Sequence, residues 1–197
     1  QLTVCIKPAG AASEGDAPQA MPSLLRAQLG CAVYPVHRLD QPVGGVMVYA
    51  KTPEAAAALT SCIQSGALYK EYLAVLTGHP QSPADTLTDL LFRDAKCNKS
   101  YVVSRMRKGV REASLSYEEL GRADALSLVC IRLHTGRTHQ IRVQFSSRGL
   151  PLLGDRRYGS RDEQCRTALW SWKLSFRHPV TGKPLTCTHL PPDEYPW

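Results

Sequence analysis

At 197 residues, 43% hydrophobic and 21% charged, the chain has an ordinary globular makeup, with length for one domain and a sizeable core. No run approaches the roughly 18 apolar residues needed to span a bilayer, so a membrane protein is not expected. The formal charge of +7, from 24 Lys+Arg against 17 Asp+Glu, favours a polyanionic partner.

In chain order, Leu2 to Ile6 is an apolar run that predicts a strand, ending in Lys7-Pro8-Ala9-Gly10. A start at Gln1 directly ahead of that strand fits a chain trimmed upstream, of a targeting peptide or an accessory domain. Met21 to Leu29 predicts a short helix, opened by Pro22 and stopped by Gly30. Val36-His37-Arg38-Leu39-Asp40 then leads through Pro42 and Gly44-Gly45, read as a tight loop, into a strand from Val46 to Ala50. Thr52-Pro53-Glu54 is a strong helix start and Gly66 its stop.

Leu68 to Leu76 reads as a strand, and Leu87 to Leu120 as shorter, irregular strands. Ala125 to His134 is a strand, Gly136 a turn, and Thr138 to Arg148 a helix closed by Gly149, with Ile141 and Phe145 sharing a face. Leu169 to Phe176 and Leu185 to His189 predict a terminal hairpin. Strands and helices mix without a βαβ cadence, so the expected class is α+β with a mixed, largely antiparallel sheet.

Charge is clustered. Arg93, Lys96, Lys99, Arg105, Arg107, Lys108 and Arg111 span a segment whose one acid is Asp94. Eight arginines lie from Arg132 to Arg166 against Asp155, Asp162 and Glu163. The seven cysteines are widely spaced and match no zinc ribbon or redox pair, so free thiols, some buried, are expected. His134 and His139 are five residues apart, which disfavours a shared zinc on a helix face.

Two stretches carry candidate chemistry. Asp40 is a carboxylate in a constrained loop beside a strand; alone, such a residue closes a turn, caps a helix or pairs with an arginine. Leu133-His134-Thr135-Gly136-Arg137-Thr138-His139-Gln140-Ile141-Arg142-Val143 is a strand, a glycine turn and a donor-rich helix start, either a capped surface helix or an anion site. Tyr72, in Lys70-Glu71-Tyr72-Leu73-Ala74-Val75, would by itself be a core residue of a strand.

His37-Arg38-Leu39-Asp40, with Gly45 and the strand ending in Ala50-Lys51, resembles the catalytic motif of the RluA-type RNA pseudouridine synthases. The likeness extends to Lys7-Pro8-Ala9-Gly10, to the Tyr72 segment and to the Arg142 block, which continues through Gly149-Leu150-Pro151-Leu152-Leu153-Gly154-Asp155 to Tyr158-Gly159. It closes with Leu174-Ser175-Phe176-Arg177-His178-Pro179-Val180-Thr181-Gly182, and so runs from about Leu2 to Pro191. The loop departs from the family pattern: Pro42-Val43-Gly44-Gly45 stands where Asp-Thr-Ser-Gly is usual, removing two hydroxyls.

The resemblance implies a single catalytic domain over residues 1–197, its central sheet flanked by helices and crossed by a cleft, with no separate RNA-binding domain in this chain. It implies isomerisation of uridine to pseudouridine in tRNA or rRNA, without metal or organic cofactor. Asp40 would be catalytic, as nucleophile or base, with Arg142 pairing to it and Tyr72 packing on the target base. His37, Arg38, Arg137, His139 and Gln140 are the expected substrate-binding residues. A monomer in the cytoplasm, or in an organelle matrix after removal of a targeting segment, is expected. Two alternatives belong beside it: a catalytically impaired RNA-binding protein with the same fold, for which Pro42-Val43 speaks, and a glycosidic-bond hydrolase. The hydrolase would need a second acid such as Asp155 near Asp40.

Overall fold

The computed structural model describes residues 1–197. In chain order its elements are β1 (Leu2–Lys7), α1 (Met21–Leu29), β2 (Tyr34–Pro35), β3 (Gly44–Ala50), α2 (Pro53–Gln64), β4 (Tyr69–Thr77), β5 (Ala84–Asp94), β6 (Lys99–Val103), β7 (Val110–Ala123), β8 (Leu126–Leu133), α3 (Gln140–Ser146), a 3-10 turn at Arg156–Tyr158, β9 (Leu169–Arg177) and β10 (Pro184–Thr188). The class is α+β, as the pattern predicts. Two compact units are distinguished: Gln1–Lys70 with Trp170–Pro191, and Glu71–Leu169 with Pro192–Trp197.

In the first unit β1 pairs antiparallel with β3, from Leu2↔Ala50 to Lys7↔Gly45. β9 runs parallel to β3 at Gly44↔Trp170 and Gly45↔Ser171, and β10 folds back antiparallel on β9 as the predicted hairpin. α2 begins as expected, with the Ala55 N–H donating to Thr52 Oγ1 at 3.2 Å and Pro53 in the first turn. Its Ala55 and Leu59 pack on Val46, Val48, Ala50, Leu174 and Phe176. Burying side chains of this size stabilises by about 1.5–3 kcal/mol each for the larger ones.

Gly44 and Gly45 open β3 rather than closing the loop. A Cβ on Gly44 would run into the Trp170 ring, and one on Gly45, at φ +121°, into the Ser171 backbone. The pair is thus required by the close approach of β9 to β3.

In the second unit the strand order is β4-β8-β7-β5-β6. The segment expected to hold short, irregular strands instead forms a long ladder, β5 pairing with β7 from Ala84↔Glu118 to Phe92↔Val110. Burial alternates along β7 through Ala113, Leu115 and Tyr117. β5 hid this pattern because its buried Leu87 and Leu91 are four apart, a helical spacing, with Asp85 and Asp89 between strand positions. α3 is shorter than predicted: His139 sits in the left-handed region at φ 54°, so the helix starts at Gln140. Residues Gln140 to Phe145 are all buried, polar ones included. The chain after α3 then runs along β4, with Val75 receiving the Leu153 N–H at 2.9 Å and giving its own N–H to Ala168 at 3.1 Å.

All seven cysteines carry free thiols, but none is fully buried: Cys97 is exposed and the rest are half-buried. Cys62 and Cys187 pack at the rim of the α2 core, where a small, weakly polar side chain suffices. No helix is long and apolar enough to cross a membrane.

Candidate active site

Asp40 lies half-buried on a turn that the Val43 N–H closes by donating to the Asp40 carbonyl at 2.9 Å. That turn is locked onto the segment after β1. The Gly10 N–H donates to the Gln41 carbonyl at 2.7 Å, and Gln41 Nε2 returns a bond to the Gly10 carbonyl at 3.1 Å. On the other flank, Ser13 Oγ donates to the Leu39 carbonyl at 2.7 Å and accepts from its N–H at 3.2 Å. Val43, one of the residues departing from the family pattern, is 1% exposed and serves the core.

Beneath this loop sits Lys7, wholly buried, which the sequence marks only as the end of a strand. Its ammonium donates to the carbonyls of Ala11 at 2.7 Å, Pro8 at 3.1 Å and Gln41 at 3.2 Å. Burial lowers its pKa to about 8, while attraction to the Asp40 carboxylate opposes the drop. Lys7 therefore does two things: it satisfies three carbonyls of the loop and sets a positive charge near Asp40. Its signal was the matched Lys7-Pro8-Ala9-Gly10 stretch, which gave position but no role.

His37 faces into the same unit. Its Nε2 accepts the Val48 N–H of β3 at 3.1 Å, so the ring proton of the neutral form is on Nδ1, which has no hydrogen-bond partner. Burial, and secondarily the Lys70 charge, push its pKa down to about 3. Arg38 is exposed and pairs with exposed Glu14 at 2.8 Å.

The remaining expected site residues belong to the second unit. Tyr72 is buried on β4. Arg142, on α3, makes a two-pronged pair with Asp155: Nε to Oδ2 at 2.7 Å and Nη2 to Oδ1 at 2.8 Å, with both side chains almost fully buried. Asp155 was the acid a glycosidase would need; its carboxylate is instead the fork-to-fork partner of Arg142. Neither residue's neighbourhood was readable from sequence, since thirteen positions separate them.

Gln140 braces the turn ahead of α3. Its Oε1 accepts from Thr135 Oγ1 at 2.8 Å and from the Arg137 N–H at 3.0 Å, while Nε2 donates to the Ser114 carbonyl at 3.0 Å. Exposed Arg137 anchors its Nε on the Glu112 carbonyl at 2.9 Å. His134 and His139 are separately engaged, His134 with Ser116 Oγ at 3.1 Å and His139 with Tyr158 Oη at 2.9 Å. The first unit thus assembles Lys7, His37, Arg38 and Asp40, and the second gathers Arg137, His139, Gln140 and Arg142 at the start of α3.

The chain as a whole is similar to known proteins. The family model described as RNA pseudouridylate synthase matches residues 1–147. Ribosomal large subunit pseudouridine synthase D of Zymomonas mobilis is 34% identical over 158 residues, 75% of this chain and 49% of that protein. tRNA pseudouridine synthase C of Pasteurella multocida is 30% identical over 182 residues, 82% of this chain and 74% of that protein. The solved human RNA pseudouridylate synthase domain containing 1 shares the fold, with a TM-score of 0.82 over 97% of this chain and 80% of that chain at 24% identity. The chain spans about half the length of several curated relatives it matches. With three quarters of its length matched by the family model and a 30% identical relative covered over most of its own length, the chain belongs to the RNA pseudouridylate synthase family.

Proposed function

We propose that the chain isomerises specific uridines in structured RNA, tRNA or rRNA, to pseudouridine, with Asp40 as the catalytic nucleophile or base. The observation that carries this reading is the construction of the Asp40 turn. A half-buried carboxylate is held by backbone hydrogen bonds on both flanks and has a buried ammonium for company. Such preorganisation is what a reacting group needs, and a turn serving only to connect two strands would not require it.

The reaction breaks the bond from the ribose C1′ to N1, turns the uracil and joins C1′ to C5. The C5 proton is lost to solvent and N1 gains one. A stacked base cannot turn, so the nucleotide is extruded, at a cost of a few kcal/mol that is smallest in a loop. Ionised Asp40 attacks the sugar, adds to the ring or removes a sugar proton; each route uses one carboxylate and no cofactor. In this proposal Arg142 pairs with Asp40 in the substrate complex, and Tyr72 replaces the stacking the base has lost. Basic side chains including Arg38 and Arg137 hold flanking phosphates, a salt-sensitive contribution. His37, His139 and Gln140 act by shaping the donors around them. The enzyme works as a monomer, in the cytoplasm or an organelle matrix.

The test is RNA transcribed with tritium at uracil C5, incubated with the protein. Release of tritium to water, with pseudouridine in the nuclease digest, supports the isomerase. Tight RNA binding without release would instead favour an RNA-binding protein that lost turnover.

A further inference from the structure

The segment from Ala11 to Ala20, between β1 and α1, holds two acids, Glu14 and Asp16, and no Lys or Arg, in a chain whose formal charge is +7. One of those acids stands beside the Asp40 turn. Arg38, two residues before Asp40, has its Nη1 2.8 Å from Glu14 Oε1, with both side chains about half exposed.

The pair is set up by the backbone beneath it. Ser13 is buried and held by three hydrogen bonds. Its Oγ donates to the Leu39 carbonyl at 2.7 Å and accepts the Leu39 N–H at 3.2 Å, and its carbonyl receives the Tyr49 hydroxyl at 2.8 Å. Leu39 is buried as well. Each of these anchored residues has a charged neighbour in the chain, Glu14 after Ser13 and Arg38 before Leu39. The Ser13–Leu39 clamp therefore brings the two exposed side chains together.

The fold gains little from the result, since exposed ion pairs contribute little to stability. What the pair changes is what Arg38 offers a ligand. A carboxylate on Nη1 occupies one arm of the guanidinium fork, a donor that would otherwise grip a phosphate. A phosphate arriving there meets a like charge and must displace it. Arg38 then exchanges one anion for another instead of gaining its first. A repulsive element of this kind discriminates among ligands, because only one with enough further contacts overcomes it.

From this geometry we propose that Glu14 is a resident competitor for Arg38: it masks the guanidinium in the free protein and is displaced by a phosphate of the bound RNA. The proposal rests on the reading of RNA as the substrate, but not on turnover.

Binding of one fluorescein-labelled RNA stem-loop with uridines in its loop, measured over a salt series, tests this on the full chain. The four proteins are wild type, Glu14→Gln, Arg38→Gln and the double variant. Glu14→Gln keeps the side chain's length and removes its charge. It is expected to tighten binding about threefold at low salt, within the range of one exposed charge pair. It is also expected to steepen the dependence of log Kd on log salt by about 0.7–0.9, because no displaced carboxylate is left to recruit a cation of its own. Arg38→Gln should weaken binding, and in its background Glu14→Gln should recover less than about 1.5-fold. Thermal midpoints should agree within about 2 °C, so that folding does not account for the differences. Unchanged binding by Glu14→Gln overturns the proposal, and so does weaker binding, since Glu14 would then be aiding Arg38. The full threefold gain in the Arg38→Gln background also overturns it, making Glu14 a diffuse repulsive charge. Absence of RNA binding by all four proteins does the same. Failure of the isomerase reading would show itself in the tritium assay and leave this comparison standing.

Discussion

The Asp40 turn and the Arg142 helix are rigid for opposite reasons. Around Asp40 the fixing is done by the main chain: carbonyls and N–H groups of two loops bond to one another, a buried lysine fills three remaining carbonyl sites, and glycine lets two strands touch. Around Arg142 the fixing is done by side chains: a carboxylate, a phenol, a glutamine amide and serine hydroxyls, nearly all buried. A main-chain lattice tolerates changes in side chains that only decorate it. A buried side-chain network is less forgiving, since each deletion leaves a partner unsatisfied.

That contrast is open to attack by mutation. Asp155→Ala should be the most damaging to stability, by about 3–5 kcal/mol, because it takes the two-pronged carboxylate away from a buried guanidinium; chemical denaturation measures it, and a loss under about 1 kcal/mol would mean the side-chain network is not what holds α3. Gly45→Ala should cost about 3 kcal/mol, since the new Cβ meets Ser171 backbone at a positive φ. Equal or better stability would show that the strands can part without penalty.

His37→Gln should have a smaller effect at neutral pH, about 1–2 kcal/mol for the Val48 contact, and a diagnostic one in acid. The unfolded chain takes up a proton on this ring near pH 6.5 and the folded protein only near 3. Between those values the unfolded state holds more protons, so stability drains away as pH falls from about 6.5 to 3. The variant should show a shallower acid limb in a pH series of denaturation midpoints; an identical limb would remove His37 as its source. Arg38→Gln should shift stability by no more than about 0.5 kcal/mol, because both members of its ion pair are exposed. A larger loss would mean the turn leans on that side chain as well as on its backbone.

The same contrast explains what the sequence reveals. Local signals were legible: the Thr52-Pro53-Glu54 start of α2, the apolar runs of β1 and β3, the β9–β10 hairpin, and Asp40 in a constrained loop. Each depends on residues adjacent in the chain. What escaped depends on partners far apart. Lys7 reads as a polar strand end until its carbonyl partners, from Pro8 to Gln41, are in place. Gly44-Gly45 reads as a turn because the approach of Trp170 and Ser171 has no local trace. Asp155 reads as a spare acid because Arg142 reaches it from another element. The long β5–β7 ladder was obscured for a similar reason: pairing across nine positions supports residues whose own pattern is ambiguous.

The central claim is that the Asp40 carboxylate performs the isomerisation. Asp40→Asn keeps size and hydrogen-bonding shape and removes only the charge, so tritium release from C5-labelled RNA by wild type and variant, beside RNA affinity and thermal stability, is the direct measurement. The account predicts release reduced by roughly a thousandfold or more, in the range for loss of a reacting acid-base group, with binding and folding retained. Turnover by the variant within about tenfold of wild type on the same RNA would contradict it.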